Sequence, residues 1–156
     1  MNSSRPALVP EIYVSDFARS LAFYTELVGF QVDYARPESG FASLCLGSAH
    51  LMIEETPGFE RATAEEFSRG EWRTAALERP FGRGMNLEIQ VPSVDAIAQA
   101  LRAAGHPLLL DPHERSYRVR DRTLTVYQAL FADPDGYLIR PSERLRMEVS
   151  GSEAGS

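Results

Sequence analysis

Three histidines, one cysteine and 22 carboxylates are the groups from which this 156-residue chain could build a reactive centre. His50, His106 and His113 form no H-x-x-x-H or H-E-x-x-H pair, the spacing that sets two zinc-binding imidazoles on one helix face. His106 follows Gly105, where an imidazolium would suit the end of a helix. His50 shares a strand with Met52. Cys45 sits among apolar residues in "FASLCLG" and reads as packing rather than as a nucleophile. "DPDG" (Asp133 to Gly136) could open a calcium loop, but the twelve-residue spacing would need a glutamate where Arg144 stands, so it reads as a turn. There is no nucleophile elbow, phosphate-binding loop or cysteine pair, and Gly82-Arg83-Gly84 is too short to cradle a phosphate. What remains is a set of polar and aromatic side chains, and their use depends on the elements that aim them.

Two stretches organise the chain. In Pro10 to Phe30, Ile12 and Val14 alternate with Glu11 and Tyr13, the period of a strand. Ser15 or Asp16 then caps a helix on which Phe17, Leu21, Tyr24 and Val28 share a side, and Gly29 ends it. Asn86 to Gly105 repeats the plan. Leu87, Ile89 and Val91 alternate with Asn86, Glu88 and Gln90, Ser93 or Asp95 caps, Val94, Ile97, Leu101 and Ala104 form the face, and Gly105 closes. Copies starting about 75 residues apart predict two similar modules.

Further strands are predicted at Phe30–Arg36, Phe41–Gly47 and Ala49–Glu55, which completes the first module over residues 8–55. Residues 56–84 read as a joint, with a short helix opening at the capping box Thr63 to Glu66 and a Pro/Gly hinge at Glu78 to Gly84. The second module, residues 85–143, continues with strands at Pro107–Pro112, Thr123–Asp133 and Tyr137–Pro141. Arg115 to Arg122 is a charged, aromatic stretch between strands. Residues 1–7 and 144–156 read as flexible tails around a single domain of residues 8–143.

Composition sets outer limits. The chain is 44% hydrophobic and 24% charged, an ordinary globular balance, and no apolar run approaches the roughly 20 residues of a membrane helix. A net charge of −6 argues against nonspecific nucleic-acid binding and is compatible with a cationic ligand. A single cysteine and an N-terminus without an apolar signal core point to the cytoplasm.

The entry "VSDFARSLAFYTELVGF", its second appearance at "VPSVDAIAQALRAAG" and the closing "DPDGYLIR" together resemble the glyoxalase / bleomycin-resistance / extradiol-dioxygenase (vicinal oxygen chelate) superfamily over about Leu8 to Glu143. The resemblance implies an α+β fold of two βαβββ modules whose sheets form an incomplete barrel around a cleft, in a homodimer. Metal-dependent members carry one ligand on the first and last strand of each module. Matching the motifs puts those positions at Val9, Met52, Asn86 and Arg140. Valine offers no donor, the arginine is a permanent cation, the thioether suits no hard ion, and one neutral amide cannot hold a divalent cation alone. The expectation is no metal and no cofactor.

If the sheets curl as the resemblance implies, Glu11, Tyr13, Asn86 and Glu88 point into the concavity, joined by Met52, Glu54 and Arg140. Trp72, between Arg69 and Arg73, is a candidate stacking surface or a packing anchor. Tyr117, between Arg115 and Arg118, stands at the expected cleft mouth or on a solvated hairpin. Arg140 either orients a ligand or simply pairs with a neighbouring carboxylate. These nine residues suit a cationic or polar aromatic ligand. The chain resembles most the bleomycin-resistance proteins, which sequester a bulky cationic antibiotic in a dimer cleft without chemistry. The alternative is a glyoxalase- or dioxygenase-type enzyme using displaced ligands such as His50, Glu11 or Glu88.

Overall fold

The strand alternation at Ile12 and Val14 and at Leu87 and Ile89, and the helix caps at Asp16 and Ser93, appear as read. The computed structural model describes residues 6–56, 72 and 75–149. The chain divides into two compact units. The first comprises Met1–Met85 with Asp133–Tyr137, and the second Asn86–Ala132 with Leu138–Ser156.

In the first unit, β1 (Glu11–Val14) leads into α1 (Phe17–Ala22), followed by β2 (Gln31–Arg36), β3 (Phe41–Leu46) and β4 (Ala49–Glu55). The sheet has the order β1-β4-β3-β2, with β1 parallel to β4 and the other pairs antiparallel. Ile12, Val14, Leu44, Leu51 and Ile53 are buried on one face. Register therefore commits Glu11, Tyr13, Met52 and Glu54 to the other, as alternation predicts. Asp16 caps α1 through Arg19 N–H, and Glu55 of β4 accepts from Phe17 N–H at 2.7 Å.

The expected helix face is only partly realised. Phe23–Val28 winds as a π-helix, and the N–H groups of Gly29 and Phe30 both return to Tyr24 O. The wider turn rotates the helix surface, so one straight line of residues cannot stay inside. Ser20, Phe23, Tyr24 and Val28 are buried, while Phe17 and Leu21 are half-buried.

The second unit repeats the scheme with β5 (Asn86–Gln90), α2 (Val94–Ala103), β6 (Leu110–Val119), β7 (Arg122–Ala132) and β8 (Leu138–Val149), in the order β5-β8-β7-β6. Ser93 caps α2, whose Val94, Ile97, Ala98 and Leu101 are buried; Ala104, counted on that face, lies past the helix end and is exposed. Glu143 of β8 accepts from Val94 N–H at 2.6 Å. In both modules a glutamate from the last strand thus holds the first N–H of the helix, a repeat of physics that sequence identity hides. Each sheet is mixed, four-stranded and open at two edges, so neither closes into a barrel by itself.

Three boundaries differ from expectation. Leu110–Val119 is one strand, so the charged stretch pairs with β7 instead of looping. It is an edge strand, where charges are tolerated, and the register shift between Leu110 and His113 absorbs Pro112, which has no N–H to give. β8 runs on to Val149, past the tail boundary at Arg144, because β7 offers it a partner as far as Arg122. Tyr137 precedes β8 and belongs with the first unit. The helix expected from Thr63 lies outside the described residues.

The Asp133–Tyr137 turn is bound into the first unit by an unusually dense set of polar contacts. Asp133 Oδ1 accepts from the N–H groups of Asp135, Gly136 and Tyr137 at 2.9–3.0 Å, and Oδ2 accepts from the Tyr24 hydroxyl at 2.8 Å. Asp135 accepts from Ser15 N–H at 2.8 Å, from the Ser15 hydroxyl at 2.5 Å and from Arg79 at 2.8 Å. Gly136 has φ +102°, and an added Cβ would lie 2.5 Å from Pro80 Cβ. Glycine is required there both for the backbone angle and for the close approach.

Candidate functional site

Eight of the nine candidate side chains stand on strands and Trp72 lies outside them; seven of the nine line one of three cavities. In the first unit, a cavity of about 430 Å³ is lined by Glu11, Tyr13, Trp72, Met85 and Tyr137 among others. The Trp72 backbone N–H donates to the Tyr13 hydroxyl at 2.7 Å, which places the indole beside the sheet while leaving it 80% exposed. Tyr137 donates to Tyr13 O at 3.0 Å. Burial, followed by the negative charges of Asp133 and Asp135, pushes the Tyr137 phenol well above its ordinary range. It stands as a neutral wall of the cavity. The Glu11 carboxylate is exposed at the same cavity.

A second cavity of the first unit, about 250 Å³, is lined by Val9, Asp33, Tyr34, Ser43, His50 and Met52. Val9 and Met52, the two first-module positions that the resemblance matches to metal ligands, both line this cavity. Glu54 lines none of the three cavities; it is half-buried on β4 beside Tyr13 and opposite Phe41.

In the second unit, Asn86, Tyr117 and Arg140 converge on a cavity of about 270 Å³. His113, Arg115 and Gln128 join them, with Leu110, Leu130 and Leu138 on the apolar side. Arg140 donates to Glu88 at 3.1 Å, and Glu88 accepts from the Ser142 hydroxyl at 3.0 Å. Glu88 therefore sits beside the cavity with its charge engaged, so the pairing foreseen for Arg140 exists. Tyr117 and the buried Gln128 share hydrogen bonds of 3.1–3.2 Å, and Arg115 stacks over the Tyr117 ring at 5.4 Å. His113 Nδ1 donates to Asp111 O at 2.7 Å, which directs Nε2 toward Gln128. His106 instead binds Ala132 O at 2.7 Å, a structural role.

Gln128 and Arg115 were not foreseen as lining residues. An amide inside the otherwise apolar run "VYQALF" was the available signal, because a buried glutamine in a strand needs polar partners. Arg115 lay in a charged stretch assigned to no strand, which left its direction undefined.

The four positions equivalent to a metal site do not fit a divalent ion. Val9 has no donor atom, Met52 presents a thioether, Arg140 a permanent cation, and Asn86 only one neutral amide. Among the described residues no group of three or more His, Cys, Asp or Glu is placed to hold one. No helix among them is long and apolar enough to cross a membrane.

Comparison with solved structures shows the same fold at low identity. A virulence protein from Salmonella typhimurium is 17% identical, with 90% of this chain and 98% of that one covered and a TM-score of 0.59. A hypothetical protein from S. aureus is also 17% identical, covering 90% and 95% with a TM-score of 0.60. A lactoylglutathione lyase from Agrobacterium tumefaciens, again 17% identical, covers 89% and 94% with a TM-score of 0.55. No curated protein matches the chain. The family model that matches spans residues 7–140, well over half of the chain, and the chain belongs to the glyoxalase/bleomycin resistance protein/dioxygenase superfamily.

Proposed function

We propose that this protein is a metal-free, ligand-sequestering member of the superfamily that takes a cationic or polar aromatic small molecule without transforming it. The observation that carries the reading is the meeting of Glu11, Tyr13 and Trp72 on one cavity of about 430 Å³. A carboxylate beside two aromatic rings suits an organic cation with a planar part, through charge and cation–π contact together. The volume lies within the roughly 300–1,000 Å³ of small-molecule sites. Because Glu88 is neutralised by Arg140, the cation preference rests on Glu11. A bleomycin-like antibiotic is the first ligand to try. A cytoplasmic homodimer is the assembly that goes with this reading.

The chain has one tryptophan, so its fluorescence reports this cavity directly. Titration with metal-free bleomycin at micromolar protein is expected to change Trp72 emission saturably. Glu11→Gln should weaken binding by roughly two- to five-fold, the scale of an exposed ion pair, and added salt should weaken it further. No fluorescence change and no heat would remove this ligand. Stoichiometric Fe, Mn, Ni or Zn in protein purified without chelator would replace the sequestration reading with an enzyme of glyoxalase or dioxygenase type.

A further inference from the structure

The cavity of the second unit has the opposite charge. Two guanidiniums, Arg140 and Arg115, line it, and no carboxylate does. Glu88 balances one of them from outside, through Arg140 Nη2 at 3.1 Å. Among the described residues no carboxylate pairs with Arg115, whose placement comes from the Tyr117 ring beneath it. One positive charge is therefore left over at the cavity.

Arg140 also has donor capacity to spare. Its Nε is buried without a hydrogen-bond partner among the described residues. Its Nη1 reaches Tyr117 Oη at 3.4 Å and Gln128 Oε1 at 3.5 Å, both at the long limit of a useful hydrogen bond. A guanidinium held like this is short of acceptors, and its planar fork matches the two oxygens of a carboxylate. Facing these groups, Leu110, Leu130 and Leu138 supply an apolar wall. At about 270 Å³ the space falls just below that of a drug-sized site, so the occupant is small.

We propose that this pocket binds a small organic carboxylate, with its oxygens on Arg140 and Arg115 and a short hydrocarbon body against the leucines. The site is distinct from the acidic cavity of the first unit, and it stands whether or not a cation binds there.

The test is calorimetric titration of the full chain at low salt with hexanoate, hexanamide and inorganic phosphate. Hexanoate should bind saturably, with hexanamide and phosphate each at least about tenfold weaker, the scale of one charge-assisted hydrogen bond. Arg115→Gln should weaken hexanoate about tenfold while lowering the melting temperature by no more than about 4 °C, because Arg115 supports no ion pair among the described residues and loses only its contact with the Tyr117 ring. Leu130→Asn should weaken hexanoate and leave phosphate as weak as before. Hexanamide binding as well as hexanoate would overturn the proposal. So would phosphate binding as tightly, or Arg115→Gln leaving hexanoate affinity unchanged.

Discussion

Replacing Tyr24 with phenylalanine removes a single oxygen from a fully buried ring and should expose how the Asp133–Tyr137 turn is held. The Tyr24 hydroxyl donates to Asp133 Oδ2 at 2.8 Å, and the three backbone N–H groups on Oδ1 remain after the change. Burial is the largest influence on Asp133 and raises its carboxyl above the ordinary range, while the Tyr24 hydrogen bond works against that rise. The sign follows. A carboxyl whose folded pKa is raised favours the fold below its unfolded pKa, and that contribution is lost as pH climbs through the folded value. Tyr24 limits the loss by stabilising the ionised form; its own phenol, raised well above the usual range chiefly by burial, stays a donor throughout.

Tyr24→Phe should therefore cost about 1.5–3 kcal/mol at neutral pH, the worth of a hydrogen bond to a charged group. At this chain length that is a drop of roughly 3–12 °C in melting temperature. The penalty should shrink as pH falls through the raised Asp133 pKa, since a neutral carboxyl gains less from the donor. Thermal melts of both proteins at pH 7 and at successively lower pH measure it. An equal penalty at every pH, or none at pH 7, would refute the reasoning. Because Tyr137 lines the acidic cavity, the same variant should also weaken ligand binding there.

Other substitutions separate scaffold from site. Gly136→Ala puts a Cβ 2.5 Å from Pro80 Cβ at φ +102°, and should cost at least about 2 kcal/mol in a denaturant melt. Trp72→Ala, at an 80% exposed side chain whose backbone N–H keeps its bond to Tyr13, should change stability by less than about 0.5 kcal/mol while abolishing aromatic ligand binding in calorimetry. Arg140→Gln breaks an ion pair whose side chains are 27% and 46% exposed, so the stability loss should stay near or below about 1 kcal/mol by chemical denaturation.

Much of the fold was written in local order. Apolar alternation at Ile12 and Val14 and at Leu87 and Ile89, caps at Asp16 and Ser93, and stops at Gly29 and Gly105 act within a few residues, and each appears as read. The misreadings share a cause, which is that pairing partners are remote. Arg115 to Val119 carries charge enough for a loop and becomes a strand because β7 lies alongside. Arg144 to Val149 looks like a tail and becomes strand for the same reason. The π-helix at Phe23–Val28 has no periodic signature of its own, so the inward face shifted unannounced.

For the site, the residues alone determined which side chains face away from each core, since parity along a strand is a local property. They also determined that Val9, Met52 and Arg140 are poor company for a metal ion, because donor chemistry belongs to the side chain and not to its surroundings. Only the tertiary structure decided the grouping: Glu11 with Tyr13 and Trp72, and Arg140 with Tyr117, Arg115 and Gln128. It alone set Glu88 against Arg140, removing one charge from the acidic set and leaving a basic pocket where a mixed lining was expected. Charge balance at a cavity depends on distances of a few ångströms between residues some 50 positions apart, and no local pattern encodes those distances.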